Sequence, residues 1–214
     1  MTQIMTPQDI EALFTRSDGN YLFARWGRPI TPVVFGVSDS SLGVIKGAFE
    51  AVAALAGIGM ADTDPELGSN VMVFFFAEWR ELPEVPGLDR LVPDLGPLVT
   101  RLTRAGANQY RIFRFDADGA IRACFVFLRM DDELSAVPGD TLALNQAAQS
   151  ILLWSDTAFA GRSVLGRTED GTVILRPDIA ALVRAAYDPV LPAVARDASH
   201  ALRLAARVGP ARDA

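Results

Sequence analysis

The chain has one cysteine and one histidine. A lone Cys124 cannot form an internal disulfide, which fits a reducing compartment. His200 and Cys124 could contribute to a zinc site only with carboxylates, and nothing in the spacing brings such a set together. No apolar run approaches the roughly 18 residues of a membrane span. Clustered Lys and Arg are also missing. The net charge is −6 and the pI about 4.8, which argues against a nucleic-acid footprint. Arg196, Arg203, Arg207 and Arg212 are spread over the last helix and tail, as on a solvated face. The opening Met-Thr-Gln-Ile-Met-Thr-Pro lacks the basic and apolar regions of a signal peptide. A cytoplasmic location is expected for the chain as it stands, and an exported one if a leader was removed.

What is present is apolar surface. Half of the 214 residues are hydrophobic and 21% are charged, enough for one substantial core. Thr6-Pro7 predicts a helix through Phe14, with Ile10, Leu13 and Phe14 on one face. Ser17 to Asn20 reads as a turn. Pro32–Val37 reads as a strand and Leu42–Ala56 as a helix ended by Gly57. Asn70–Phe76 is the most hydrophobic strand, expected at the centre of a sheet. Glu78–Pro97, with four prolines, reads as a loop holding at most one helical turn, and Leu98–Arg104 as a short helix. Tyr110–Phe115 and Ala120–Leu128 predict an antiparallel pair around Asp116-Ala-Asp-Gly119, with Asp118-Gly119 supplying positive φ. Gly161–Gly171 reads as a loop and Thr172–Leu175 as a short strand. Helices are expected over Pro177–Tyr187 and Ala193–Val208. Helices and antiparallel strands mix without regular alternation, so the fold class is α+β with a mixed, mostly antiparallel sheet. The strands near Val33, Met72, Ile112 and Phe125 are expected to share that sheet.

The rest is organised around Thr141–Trp154. Asp140 or Thr141 would cap this helix, since Pro138-Gly139 is a poor continuation backwards. Asn145 and Gln149 lie about 40° apart on one face, among Leu142, Ala148, Leu152 and Leu153. The helix is apolar nearly all round, as buried helices are. Leu142, Ile151, Leu152, Leu153 and Phe74 are the expected core. Buried amides need partners, so Asn145, Gln146 and Gln149 are the candidate binding residues.

Several stretches resemble a bacterial zincin-like domain family of unknown function, whose members are often described as lipoproteins and carry a His-Glu-x-x-Gln helix. They are Tyr21-Leu-Phe-Ala-Arg-Trp-Gly-Arg-Pro-Ile30, Ala54–Ile58, Asn70–Phe75 and Leu175–Pro189, the last ending in Tyr-Asp-Pro. The resemblance implies a single zincin-like domain over residues 1–214, with 1–20 as N-terminal helix and turn and 192–214 as final helix and tail. The sheet would pack on a buried central helix and C-terminal helices. Where the family has His-Glu-x-x-Gln, this chain has Asn145-Gln146-Ala-Ala-Gln149. Amides are poor zinc ligands and take no proton from water. The resemblance thus implies the fold without the peptidase activity: a pseudoenzyme with no catalytic residues and no metal ligands.

Other motifs read blandly. Cys124 sits in an apolar strand as a small hydrophobe. Asp131-Asp132-Glu133 lacks the spacing of a calcium loop. Gly57-Ile-Gly59 is no dinucleotide fingerprint, and no serine has a G-x-S-x-G context. No cofactor is implied. Three functions compete: a non-catalytic binding or structural domain, a hydrolase using carboxylates with an unidentified metal, and an oligomeric scaffold. The last would bind a protein partner or a second copy through Trp154, Phe159 or Trp79, with Trp79 expected to reach the surface.

Overall fold

The computed structural model describes residues 5–208; the first four residues and the tail with Arg212 lie outside it. Helix α1 (Pro7–Phe14) opens with a reciprocal cap in which Thr6 and Asp9 bond each other's backbone. Strands β1 (Phe23–Ala24) and β2 (Pro32–Phe35) precede α2 (Asp39–Ala56), which ends on Gly57 at φ 72°. Then come β3 (Val71–Phe76), a 3-10 segment (Trp79–Glu84), and helices α3 (Leu88–Leu91) and α4 (Leu95–Arg104). Strands β4 (Gln109–Phe115) and β5 (Ile121–Arg129) lead through α5 (Asp132–Ser135) to the central helix α6 (Gly139–Ser150). The chain closes with β6 (Leu165–Arg167), β7 (Val173–Leu175), α7 (Pro177–Ala186), β8 (Val194–Ala195) and α8 (Ser199–Val208).

The class is α+β. Four strands form one sheet in the order β2-β3-β5-β4. Val33 pairs with Met72, Met72 with Phe125 and Ile112 with Phe125, so the four expected strands do meet. The β4–β5 hairpin is antiparallel, while β2–β3 and β3–β5 are parallel, because a helix-bearing crossover follows each of β2 and β3. The antiparallel pairs β1–β8 and β6–β7 stand apart from this sheet.

Alternation along β3 and β5 divides the core in two. Val71, Val73, Cys124, Val126 and Leu128 face the cluster containing α1, α2, α6, α7 and α8. Phe74, Phe76, Phe125 and Phe127 face the opposite way, onto Trp79, Leu82, Leu88, Leu95, Leu98 and Leu102. Both faces of the sheet are covered, which explains the continuous apolar run of β3. Among the described residues no helix is long and apolar enough to cross a membrane.

Four expectations need correction. Glu78–Pro97 is helical in three pieces rather than a loop. Pro97 sits in the first turn of α4, where an amide proton has no helical acceptor, while Pro83 lies inside the short 3-10 segment just before its end at Glu84. Residues Gly161–Gly171 contain β6, which turns back onto β7 through Gly171 at φ 86°. The last helix begins at Ser199, because Asp197 accepts from the Ser199 amide at 2.8 Å while Val194–Ala195 pair with β1. In the hairpin turn Gly119 alone takes positive φ (85°); Asp118 stays outside that region, and Asp116 Oδ1 accepts from the Asp118 and Ala120 amides.

The central helix also differs at both ends. It begins at Gly139 with Pro138 in the capping position and no side-chain cap, since proline's ring offers no acceptor for the first-turn amides. It stops at Ser150, four residues earlier than the apolar pattern suggests. Trp154 Nε1 donates to Ala148 O at 3.0 Å, Trp26 Nε1 to Ser150 O at 2.9 Å and the Tyr187 hydroxyl to Ile151 O at 2.7 Å. Side-chain donors thus take carbonyls that another helical turn would have used. Ile151–Trp154 are nonetheless core, with Leu152 fully buried. Leu152→Ala is therefore expected to cost about 2–5 kcal/mol in urea unfolding; a loss below about 1 kcal/mol would place this segment outside the core.

His200 is buried, its Nδ1 3.0 Å from the Tyr21 hydroxyl and its ring tilted against Phe23. Burial, then the Arg203 and Arg207 charges, push its pKa down to about 4. A histidine held neutral in the fold stabilises it fully above the unfolded value near 6.5, and this contribution is lost as pH falls towards 4. Stability should therefore drop by about 2 kcal/mol from pH 6.5 to pH 5. His200→Gln should flatten that slope in urea titrations; an unchanged slope would assign the pH dependence elsewhere.

Candidate functional site

The face of α6 towards the sheet carries the amides, and it meets the inward side of edge strand β4. Residues 109, 111 and 113 alternate to that side, which puts Gln109 and Arg111 opposite the helix. Arg111 Nη1 donates to Gln149 Oε1 at 3.0 Å, and Nη2 donates to Gln146 Oε1. Gln146 Nε2 donates to Gln109 Oε1 at 2.8 Å, and Gln149 Nε2 to Asn145 Oδ1 at 2.8 Å. The three amides singled out from the sequence are thus brought into one network. Gln146 is fully buried, whereas Asn145 and Gln149 are half-buried. The helical wheel favoured Asn145 and Gln149 because it ran on through Leu152 and Leu153; with the helix ending at Ser150, the inward direction passes through Leu142, Gln146 and Ser150.

Arg111 is the functional residue that sequence reading missed. In the pattern Tyr-Arg-Ile-Phe-Arg-Phe it is one of two strand arginines, and its side of the strand could be read only from the register. No carboxylate pairs with it among the described residues. Its Nε is buried without a partner, and burial lowers its pKa from the ordinary arginine value. Cys124 lies on the same face of the sheet. Burial pushes its thiol up to about 12, against the opposing pull of the Arg111 charge and Ser150, so it stays protonated and offers no counter-charge.

Two cavities flank this network. The first, of about 590 Å³, lies between α2, α6 and the ends of β2 and β3. Val37, Val44, Ile45, Val73, Phe75, Met130, Leu142 and Ala143 line it, with Gln146, Asp140 and Ser41 as polar groups. Gly36 at its edge has φ 80°, and a side chain there would meet Phe75 O at 2.4 Å, so the exit from β2 requires glycine. The second, of about 380 Å³, is bounded by β4, Gln149, Arg16 and residues 153–159.

The other candidates fall outside both cavities or into packing roles. Asp131 caps α5 by accepting from the Leu134 amide at 2.9 Å. His200 is bound to Tyr21. Among the described residues no three His, Cys, Asp or Glu side chains converge as a metal site would require. Trp79 is buried, with Nε1 donating to Ala107 O at 2.7 Å, and Trp154 is buried against Phe14, so neither presents the sticky surface expected of a scaffold. A polar cluster unforeseen from sequence, Asp64 with Asn70, is structural: Asn70 bonds Thr31 N, Pro29 O and Asp64 and anchors the start of β3.

Comparison with protein-family models, curated proteins and solved structures found no match for this chain.

Removing Gln146 should strand Arg111 and Gln109, whereas Asn145 serves only the half-buried Gln149, which can turn to water. Gln146→Leu is expected to cost about 1–3 kcal/mol in chemical denaturation and Asn145→Leu less than about 1 kcal/mol. The reverse order would show that the network is not centred on Gln146.

Proposed function

We propose that the chain is a non-catalytic binding domain that takes a small apolar ligand in the cavity between α2, α6 and the sheet. The observation that carries this reading is the cavity itself: about 590 Å³, walled by aliphatic and aromatic side chains, with Gln146 among its few polar groups. That is the size and composition of a small-molecule site. It opens beyond the carboxyl ends of the parallel strands β2 and β3, where α/β sheets often receive ligands.

The non-catalytic part rests on chemistry. The helix positions that would carry metal ligands and a general base in a zincin-like enzyme hold Asn145, Gln146 and Gln149. Each amide is engaged in the network around Arg111. A neutral amide supplies neither a proton acceptor nor a strong metal ligand. The Cys124 thiol is held protonated, and His200 is occupied by Tyr21. This reading keeps the zincin-like relationship as a proposal in which the catalytic helix has become a packing and recognition element.

Nile red, a neutral dye that brightens in apolar surroundings, should bind saturably to the purified protein. Ala143→Phe, which fills the cavity from α6, should abolish the response while far-ultraviolet circular dichroism is unchanged. Protein prepared without chelator should contain well under one zinc per chain by mass spectrometry. An unsaturable dye signal, or one indifferent to the substitution, would defeat the binding assignment. Stoichiometric zinc would defeat the non-catalytic one.

A further inference from the structure

We infer that the second cavity, between β4 and residues 153–159, is a distinct site for a carboxylate carried on a compact aromatic or aliphatic body. Arg111 and Gln149 contribute to its lining; Phe113, Trp154 and Phe159 supply apolar wall, and exposed Arg16 stands at its edge.

The reason is an unbalanced charge. A guanidinium carries five N–H donors and stays protonated in proteins. The acceptors given to Arg111 are the neutral oxygens of Gln146 and Gln149, and Nε is left buried without one. Asp156 lines the same cavity but accepts from the Ser17 amide and hydroxyl instead of pairing with Arg111. Holding a cation away from water without an anion is costly. Amides soften that cost by orienting the fork and leaving its net charge intact, which is what a site for an anionic ligand requires.

The surroundings select the anion. A planar guanidinium matches a carboxylate with two parallel hydrogen bonds. A phosphate dianion would need more positive donors than one half-buried arginine and one exposed one. The negative carboxyl end of α6 opposes a dianion more strongly than the single charge of a carboxylate. The aromatic side chains then set the body: a flat ring or short aliphatic chain, uncharged apart from its acid group, fits a space of about 380 Å³.

Benzoate is the probe, with benzamide as its neutral analogue and inorganic phosphate as the competing anion. Trp154 lines the cavity while Trp26 and Trp79 are packed elsewhere, so tryptophan fluorescence reports occupancy beside calorimetry. Benzoate should bind saturably, and benzamide at least about tenfold more weakly, since it lacks the charge that Arg111 requires. Arg111→Gln should abolish binding, and Arg111→Lys should weaken it by about tenfold through loss of the fork. Arg16→Glu, an exposed substitution that leaves the fold intact, should weaken it at least about threefold and keeps the test decisive if the Arg111 variants do not fold. The apolar cavity is separate, so Ala143→Phe should leave benzoate binding unchanged. No saturation, equal affinity for benzamide, equal affinity for phosphate, or indifference to Arg16→Glu would each overturn the assignment. Loss of benzoate binding in Ala143→Phe would overturn it too, by moving the ligand to the other cavity.

Discussion

The end of helix α6 is the constraint on which the rest of the molecule depends. Three carbonyls around Ser150 accept from Trp154, Trp26 and Tyr187. Those donors come from the segment after the helix, from the strand region near the amino terminus, and from the end of α7. One short stretch of backbone therefore ties together parts of the chain more than 120 residues apart, Trp26 to Ser150 being the longest of the three ties. A carbonyl left buried and unpaired would cost about 1–3 kcal/mol, so these indole and phenol donors are part of the fold. Tyr187 does this twice over, because its oxygen also receives the Trp26 amide at 3.3 Å. Burial raises its pKa and keeps the phenol in the donating form.

With the helix end held, its inward face is held too, and that face carries amides against an arginine. An apolar residue at 111 would pack against the sheet without any desolvation cost. The chain instead keeps a cation there, surrounds it with neutral oxygens, and leaves a cavity on either side of the network. Gln146 belongs to both the network and the apolar cavity wall, whereas Arg111 and Gln149 line the other cavity. The two cavities differ in chemistry for that reason: one meets the amide among aliphatic side chains, the other meets the guanidinium among aromatic ones.

Much of the architecture was readable residue by residue. Thr6-Pro7 announces a capped helix, Gly57 its counterpart at the end of α2, and Gly119 the hairpin, because each solves a local backbone problem that other residues solve poorly. The run Val71–Phe76 announces a strand covered on both faces. Prolines misled where they were taken as breakers. Pro97 and Pro138 stand at helix starts, where their missing amide proton costs nothing, and Pro83 lies within a 3-10 segment that ends one residue later. Which role a proline plays depends on whether apolar neighbours such as Leu82, Leu95 and Leu98 find a surface to cover, and that is a tertiary matter.

Local sequence determined the cap of α1 and the end of α2, where the hairpin turns, which strand is central, and that three amides lie on a buried helix with no base or soft ligand among them. These follow from backbone sterics and side-chain chemistry acting over a few residues. The parallel pairing of β2, β3 and β5, the stop at Ser150, the burial of His200 and the arrival of Arg111 between Gln146 and Gln149 were decided by tertiary structure. Each of these depends on groups distant in the chain: a carbonyl ends a helix early when a remote indole donates to it, and a half-buried arginine is left without a counter-charge only when the sheet register turns it towards a helix that offers amides and no carboxylate.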